Sequence, residues 1–257
     1  MGRRPPHRRL RLRAWLGALL LALAGCVPIA QPPSGNLAER LNAALHQGQR
    51  QAFLDNFSAD QAASAAGQAW FTILNTAAAT FDQPDDRTLV VTATLPGDRR
   101  PAHWTLHLEL DTATGRVHAV APATDRPIWA LGPTDLTTAA HGTLLSSGLD
   151  AVARQRWADR MDRAAEAVAR KAPAGDRGWQ GGLVVEVPAN GSDFQAITSE
   201  LANTASALTT CSTGTPRVVV NPLVLGQSDE WLDSTLVHEA VHVATDSACV
   251  PAGQSLA

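Results

Sequence analysis

Close to its C-terminus the chain carries the run His238-Glu239-Ala240-Val241-His242. On a helix, two histidines four apart share one face, one turn from each other. Two neutral imidazole nitrogens so placed can hold one Zn²⁺ at about 2.0–2.1 Å. Glu239, next to the first histidine, is then positioned to take a proton from an attacking water rather than to bind metal. A catalytic zinc site uses three protein ligands and keeps one open position, so the pair needs a third partner.

The flanks suit a helix that crosses a core. Thr235, Leu236, Val237, Ala240, Val241, Val243 and Ala244 are all uncharged. The plainer alternative is a buried helix with two incidental histidines and a paired Glu. Asp246 continues the stripe, but on an unbroken helix it stands about 12 Å along the axis from His238, too far to share one ion. Nothing in the sequence places Glu186, Glu200 or Glu230 near the pair.

The N-terminus reads as an export signal. Arg3, Arg4, Arg8, Arg9, Arg11 and Arg13 precede a short apolar run, Ala14 to Ala24, and Leu23-Ala24-Gly25-Cys26 follows the small-residue pattern of a lipobox. The apolar run is shorter than the roughly 20 residues a spanning helix needs, so residues 1–25 are expected to be a targeting segment. Resemblance to bacterial lipoproteins implies cleavage before Cys26 and diacylglycerol on its sulfur. An ordinary cleaved secretory signal with an incidental Cys is the alternative. The anchored protein would sit on the extracytoplasmic face of the cell membrane, with that membrane as its partner through the lipid on Cys26.

Loss of the six arginines takes Lys+Arg from 21 to 15 against 24 Asp+Glu, a net charge of −9. That balance argues against nucleic acid as a partner. Of the three cysteines, Cys26 is assigned to the anchor. Cys211 and Cys249 remain in an oxidising compartment, where a disulfide is expected. A Cys/His zinc site is the lesser alternative, because neither has a Cys or His partner at finger spacing.

The elements around these residues imply an α+β protein in two parts. Residues 26–35, with three prolines and a glycine, form a tether. Residues 36–130 begin with helices. Asn36-Leu37-Ala38-Glu39 has the capping-box pattern, and Ser58 with Gln61 can cap a second helix. Strands follow, with apolar alternation at Leu89-Val91-Ala93-Leu95 and Trp104-Leu106-Leu108-Leu110, and a third at Val117–Val120. His103, Thr105, His107 and Glu109 then fall on a solvated strand face. Residues 131–145, marked by Gly132, Pro133 and Gly142, read as a linker. Residues 146–257 open with a long amphipathic helix ending before Pro173. A strand at Leu183–Val187, a helix capped by Ser192, a strand at Arg217–Val220 and the histidine helix from about Asp229 complete the series.

On the lipobox, the Trp-rich front part, Arg217-Val218-Val219-Val220-Asn221-Pro222 and Leu236 to Thr245, the chain resembles lipoproteins of high-GC Gram-positive bacteria with a C-terminal gluzincin-like, peptidase MA-like domain. The front part looks like an NTF2-like or cystatin-like unit. The resemblance implies an extracytoplasmic zinc metallopeptidase acting on peptides or proteins, with His238 and His242 on the metal and Glu239 as general base. Gluzincins take their third ligand from a Glu on a later helix. Fifteen residues follow His242 here and none is Glu, so the zincin-like domain is expected to be partial and weakly active or inactive. With no tyrosine in the chain, a Tyr oxyanion donor is excluded. The competing expectation is a non-catalytic surface lipoprotein that binds a ligand or partner through its front domain. A different metal hydrolase using the same helix on other substrates is a third.

Overall fold

The structure, a computed structural model, describes residues 35–121, 125–171, 179–199 and 205–250. The signal, Cys26, most of the tether and Glu200 lie outside the described residues. Among the described residues, no helix is long and apolar enough to cross a membrane.

Helix α1 (Leu37–His46) starts at the expected capping box: Glu39 N donates to Asn36 Oδ1 at 2.9 Å and Asn36 N donates back to Glu39 Oε2 at 3.0 Å. Its stripe of Leu37, Leu41, Ala44 and Leu45 is buried. Helix α2 (Arg50–Leu54) buries Phe53. Helix α3 (Gln61–Thr76) is capped by Asp60, which accepts from Ala63 N at 2.9 Å, and not by Ser58. Ser58 instead donates to the Asp60 carboxylate, a stronger acceptor for a helix start than a hydroxyl.

The front sheet is an antiparallel meander in the order β1-β2-β3-β4, formed by Thr80–Asp85, Thr88–Ala93, Ala102–Leu110 and Val117–Val120. Strand β1 was not expected from the sequence. It contains Pro84 and three acidic residues counting its neighbour Asp86, composition that reads as loop. It survives because it lies at the sheet's edge, where a missing N–H costs no ladder bond. Strand β3 alternates buried and exposed residues, and His103, Thr105, His107 and Glu109 are on the exposed face, as expected. Trp70, Trp104 and Trp129 stack edge to face behind the sheet at centroid distances of 4.9 and 5.6 Å.

The stretch expected as a linker forms a hairpin. Strands β5 (Asp135–Ala139) and β6 (Gly142–Ser146) pair antiparallel across Ala140-His141, whose N–H groups both donate to Asp162 of the following helix. Gly142 is needed for a close approach and not for flexibility: its φ is 145°, and a Cβ there would stand 1.8 Å from the Leu183 carbonyl oxygen. Helix α4 (Ala151–Ala169) leads to β7 (Leu183–Val187), helix α5 (Gly191–Thr198), β8 (Ala207–Thr210), β9 (Arg217–Val220) and helix α6 (Asp229–Thr245). Helix α5 starts at Asn190, which accepts from Asp193 N, rather than at Ser192. The second sheet has the order β5-β6-β7-β9-β8, parallel from β6 through β9, with β5 and β8 antiparallel at its edges. One hydrophobic core joins α1–α3 and the meander to Leu145, Val184 and Val219 of the second sheet. A second core packs α4 and α6 on the other face of that sheet. The protein is α+β.

Arg217 ties the two sheets together. Its guanidinium makes two bonds to buried Asp98 at the β2–β3 turn, at 2.7 and 3.0 Å, and one to Glu186 of β7 at 3.3 Å. It also lies 4.7 Å from the Trp104 ring centroid. Burial pushes the Glu186 carboxyl above its usual range, and the Arg217 charge offsets only part of that.

Candidate functional site

Helix α6 is held at three places before its histidines can converge. Ser228 caps its start by accepting from Trp231 N at 3.3 Å. The middle is fixed by Leu232, Leu236, Ala240 and Val243 in the core, and by buried Arg160 of α4, which pairs with Asp229 at 2.7 Å and Asp233 at 2.5 Å. At the C-terminal end, Arg99 donates to the carbonyls of Val243 and Ala244 at 3.0 and 3.1 Å, where a cation complements the helix dipole. Arg100 grips Asp246 with two bonds of 2.9 and 3.0 Å. Both arginines come from the β2–β3 connection, so the front sheet anchors the helix.

The helix is not swallowed by the core. Val241 is 44% exposed and His238 lies on the exposed face, with His242 half-buried beside it. The two Nε2 atoms stand 3.1 Å apart and the rings meet edge to face at 4.8 Å between centroids. Two nitrogens at about 2.0–2.1 Å from a tetrahedral ion stand about 3.3–3.4 Å apart. The pair therefore fits one Zn²⁺ with a shift of a few tenths of an ångström. The donor set fits too, because His242 Nδ1 is engaged with Ser247 Oγ at 2.9 Å. If that ring nitrogen donates to the hydroxyl, Nε2 carries the free lone pair that a metal requires.

Glu239 is buried, and its Oε2 accepts from Thr209 Oγ1 of β8 at 2.7 Å. With His238 it lines a hollow of about 330 Å³, completed by Ser206, Ala207, Trp231, Ser234 and Thr235. Strand β8, last in the order of its sheet, contributes Ala207 to the wall of this hollow.

The chain matches no family model, no curated protein and no solved structure.

Among the described residues, no three His, Cys, Asp or Glu come together so as to hold a metal ion. Glu186 is committed to Arg217, Asp246 to Arg100, and Glu230 belongs to the first turn of α6. Helix α6 stops at Thr245 because Asp246 turns left-handed, with φ 57° and ψ 22°.

Cys211 and Cys249 form the expected disulfide, with Cα atoms 5.1 Å apart. It fastens the turn at Ser247–Cys249 to the end of β8 and so helps to hold Ser247 against His242. Ser247, Thr209, Arg99 and Arg100 are the contributors that sequence reasoning missed. Ser247, five residues past His242, carries no motif, and the other three reach the helix only through tertiary contacts.

Proposed function

We propose that this protein is a lipid-anchored, extracytoplasmic zinc hydrolase of the metallopeptidase class, its C-terminal part a partial zincin-like domain of gluzincin type and its front part NTF2-like or cystatin-like. The observation that carries the reading is the convergence of His238 and His242 Nε2 at 3.1 Å, with Glu239 on the hollow that His238 lines. His238 and His242 would hold Zn²⁺ through Nε2, supplying a Lewis acid that polarises a scissile carbonyl and acidifies water. Glu239 takes the proton of the attacking water and passes it to the leaving amine, while Thr209 holds its carboxylate in place. The edge position of β8 beside Ser206 and Ala207 favours an extended peptide as substrate, paired along that strand.

The gluzincin pattern's third ligand has no counterpart among the described residues. A chain limited to two imidazoles holds Zn²⁺ weakly and cleaves slowly. The test is hydrolysis of a quenched-fluorescence peptide library by the full chain, with zinc added and with chelator. Zinc-dependent cleavage that falls about 10²-fold or more in Glu239→Gln is expected; cleavage unchanged in that variant would refute the role of Glu239. For the anchor, a fatty-acid label should tag the wild type and be lost in Cys26→Ala, and a label that persists would remove Cys26 from the account.

A further inference from the structure

Helix α6 presents one uncharged stripe to solvent. Trp231, Ser234, Thr235, Val241 and Thr245 lie at helical spacing on the face that carries His238 and His242. All seven are exposed or half-buried, Val241 44% and Trp231 38% exposed. Apart from the two imidazoles, none carries an ionisable group. The Thr235 and Thr245 hydroxyls donate to the Trp231 and Val241 carbonyls of their own helix at 3.0 and 2.8 Å, so neither loses a partner when the face is covered. Asp229 and Asp233 are turned to α4, where Arg160 pairs with both.

The two histidines make half of a closed zinc site. Their Nε2 atoms stand 3.1 Å apart, a spacing that fits one ion, and among the described residues no third His, Cys, Asp or Glu joins them. A closed site takes four ligands in a tetrahedron. A second copy related by a two-fold axis brings the same two imidazoles to the same place, because such a contact sets one patch against itself. Two plus two completes the tetrahedron. The stripe is too small to hold two chains unaided: seven residues a side fall well short of the roughly 20–30 of a standard interface. The pairing therefore depends on metal.

We propose that two copies of this chain share one Zn²⁺ between their α6 helices, each supplying His238 and His242. This rests on the zinc-binding role proposed for these histidines and adds the partner that completes the site. Sharing occurs when metal is limiting; with metal in excess each pair takes its own ion. Trp231, Ser234, Thr235 and His238 also line the hollow that contains Glu239, so a helix laid along the stripe closes that hollow. The paired form is shut to substrate, and its ion keeps no open position.

The test is sedimentation velocity of the full chain carrying Cys26→Ala, so that no lipid drives association, with half an equivalent of Zn²⁺, with excess Zn²⁺ and with chelator. X-ray absorption at the zinc edge counts the imidazoles in the half-equivalent sample. A dimer with one Zn²⁺ per two chains and four imidazoles is expected, returning to monomer in chelator and in excess metal. Val241→Arg sets like charges against each other without touching a ligand. It should weaken dimerisation about tenfold or more and keep the two-imidazole site of the single chain. A monomer holding zinc through two imidazoles at half an equivalent would overturn the shared site and leave the metal-binding role standing. A chain that binds no zinc would overturn both. A dimer that survives chelator, or one undiminished in Val241→Arg, would also overturn the shared site.

Discussion

Thr209 Oγ1 donates to Glu239 Oε2 at 2.7 Å, joining the edge strand β8 to a carboxylate that lines a hollow with His238. The general-base role proposed for Glu239 requires its oxygens to be aimed, and this bond fixes the aim. Thr209→Val keeps the shape and removes the donor. It should lower peptide turnover about tenfold or more while leaving zinc affinity within a factor of two, and Thr209→Ser should restore turnover. Equal turnover in Thr209→Val and wild type would mean that the bond only packs the strand.

Ser247 does for His242 what Thr209 does for Glu239. Its hydroxyl, 2.9 Å from Nδ1, selects the ring orientation that presents Nε2 beside His238. Ser247→Ala should weaken zinc or cobalt binding about 10–100-fold, as expected when a ligand's supporting hydrogen bond is lost. Unchanged affinity would show that the helix alone orients the ring.

The disulfide acts on stability and on the site together. Chain-entropy arithmetic over the loop closed by Cys211 and Cys249, with a separation of 38 residues, gives about 4 kcal/mol. Reduction should lower the unfolding free energy by roughly that amount in denaturant titrations. It should also reproduce part of the Ser247→Ala loss in metal affinity, because the turn at Ser247–Cys249 is no longer fastened to β8. A reduced protein with intact metal affinity would contradict the second half of that expectation.

Much of this arrangement was readable from local signals. The histidine helix, the Asn36 capping box, the alternation of β2 and β3 and the Cys211–Cys249 pairing each depend on residues whose types settle the matter. Strand β1 was hidden because Pro84 and its acidic neighbours resemble a loop, and only the strand's edge position makes them tolerable. The β5–β6 hairpin was hidden because Gly142 reads as a breaker, whereas its missing Cβ admits the Leu183 carbonyl. The caps of α3 and α5 fell on Asp60 and Asn190, each two residues from the nearest expected Ser, because several capable side chains competed at each start. Thr209, Arg99 and Arg100 meet α6 across 30 or more residues of sequence, and no periodicity encodes such contacts.

Glu186 gives the fold a pH signature. Burial raises its carboxyl above the ordinary 4.5, with Asp98 adding repulsion and Arg217 opposing both. A carboxyl raised in the folded state contributes stability that is full below its unfolded value and is lost as pH rises through the folded value. The stability difference between Glu186→Gln and wild type should therefore shift in favour of the variant as pH climbs above about 4.5, in urea titrations at successive pH values. Parallel profiles for the two proteins would show that Glu186 does not titrate differently on folding.

The proposed function requires His238 and His242 to share one metal ion through Nε2. Cobalt substitution of the full chain, followed by visible absorption and X-ray absorption at the metal edge, reads this directly. One Co²⁺ per chain is expected, displaced by Zn²⁺, with two imidazole ligands and the remaining positions filled by water. His238→Ala and His242→Ala should each weaken binding at least about tenfold, and the double variant should bind none. Stoichiometric metal retained by the double variant, or a wild type that binds no metal, would contradict it.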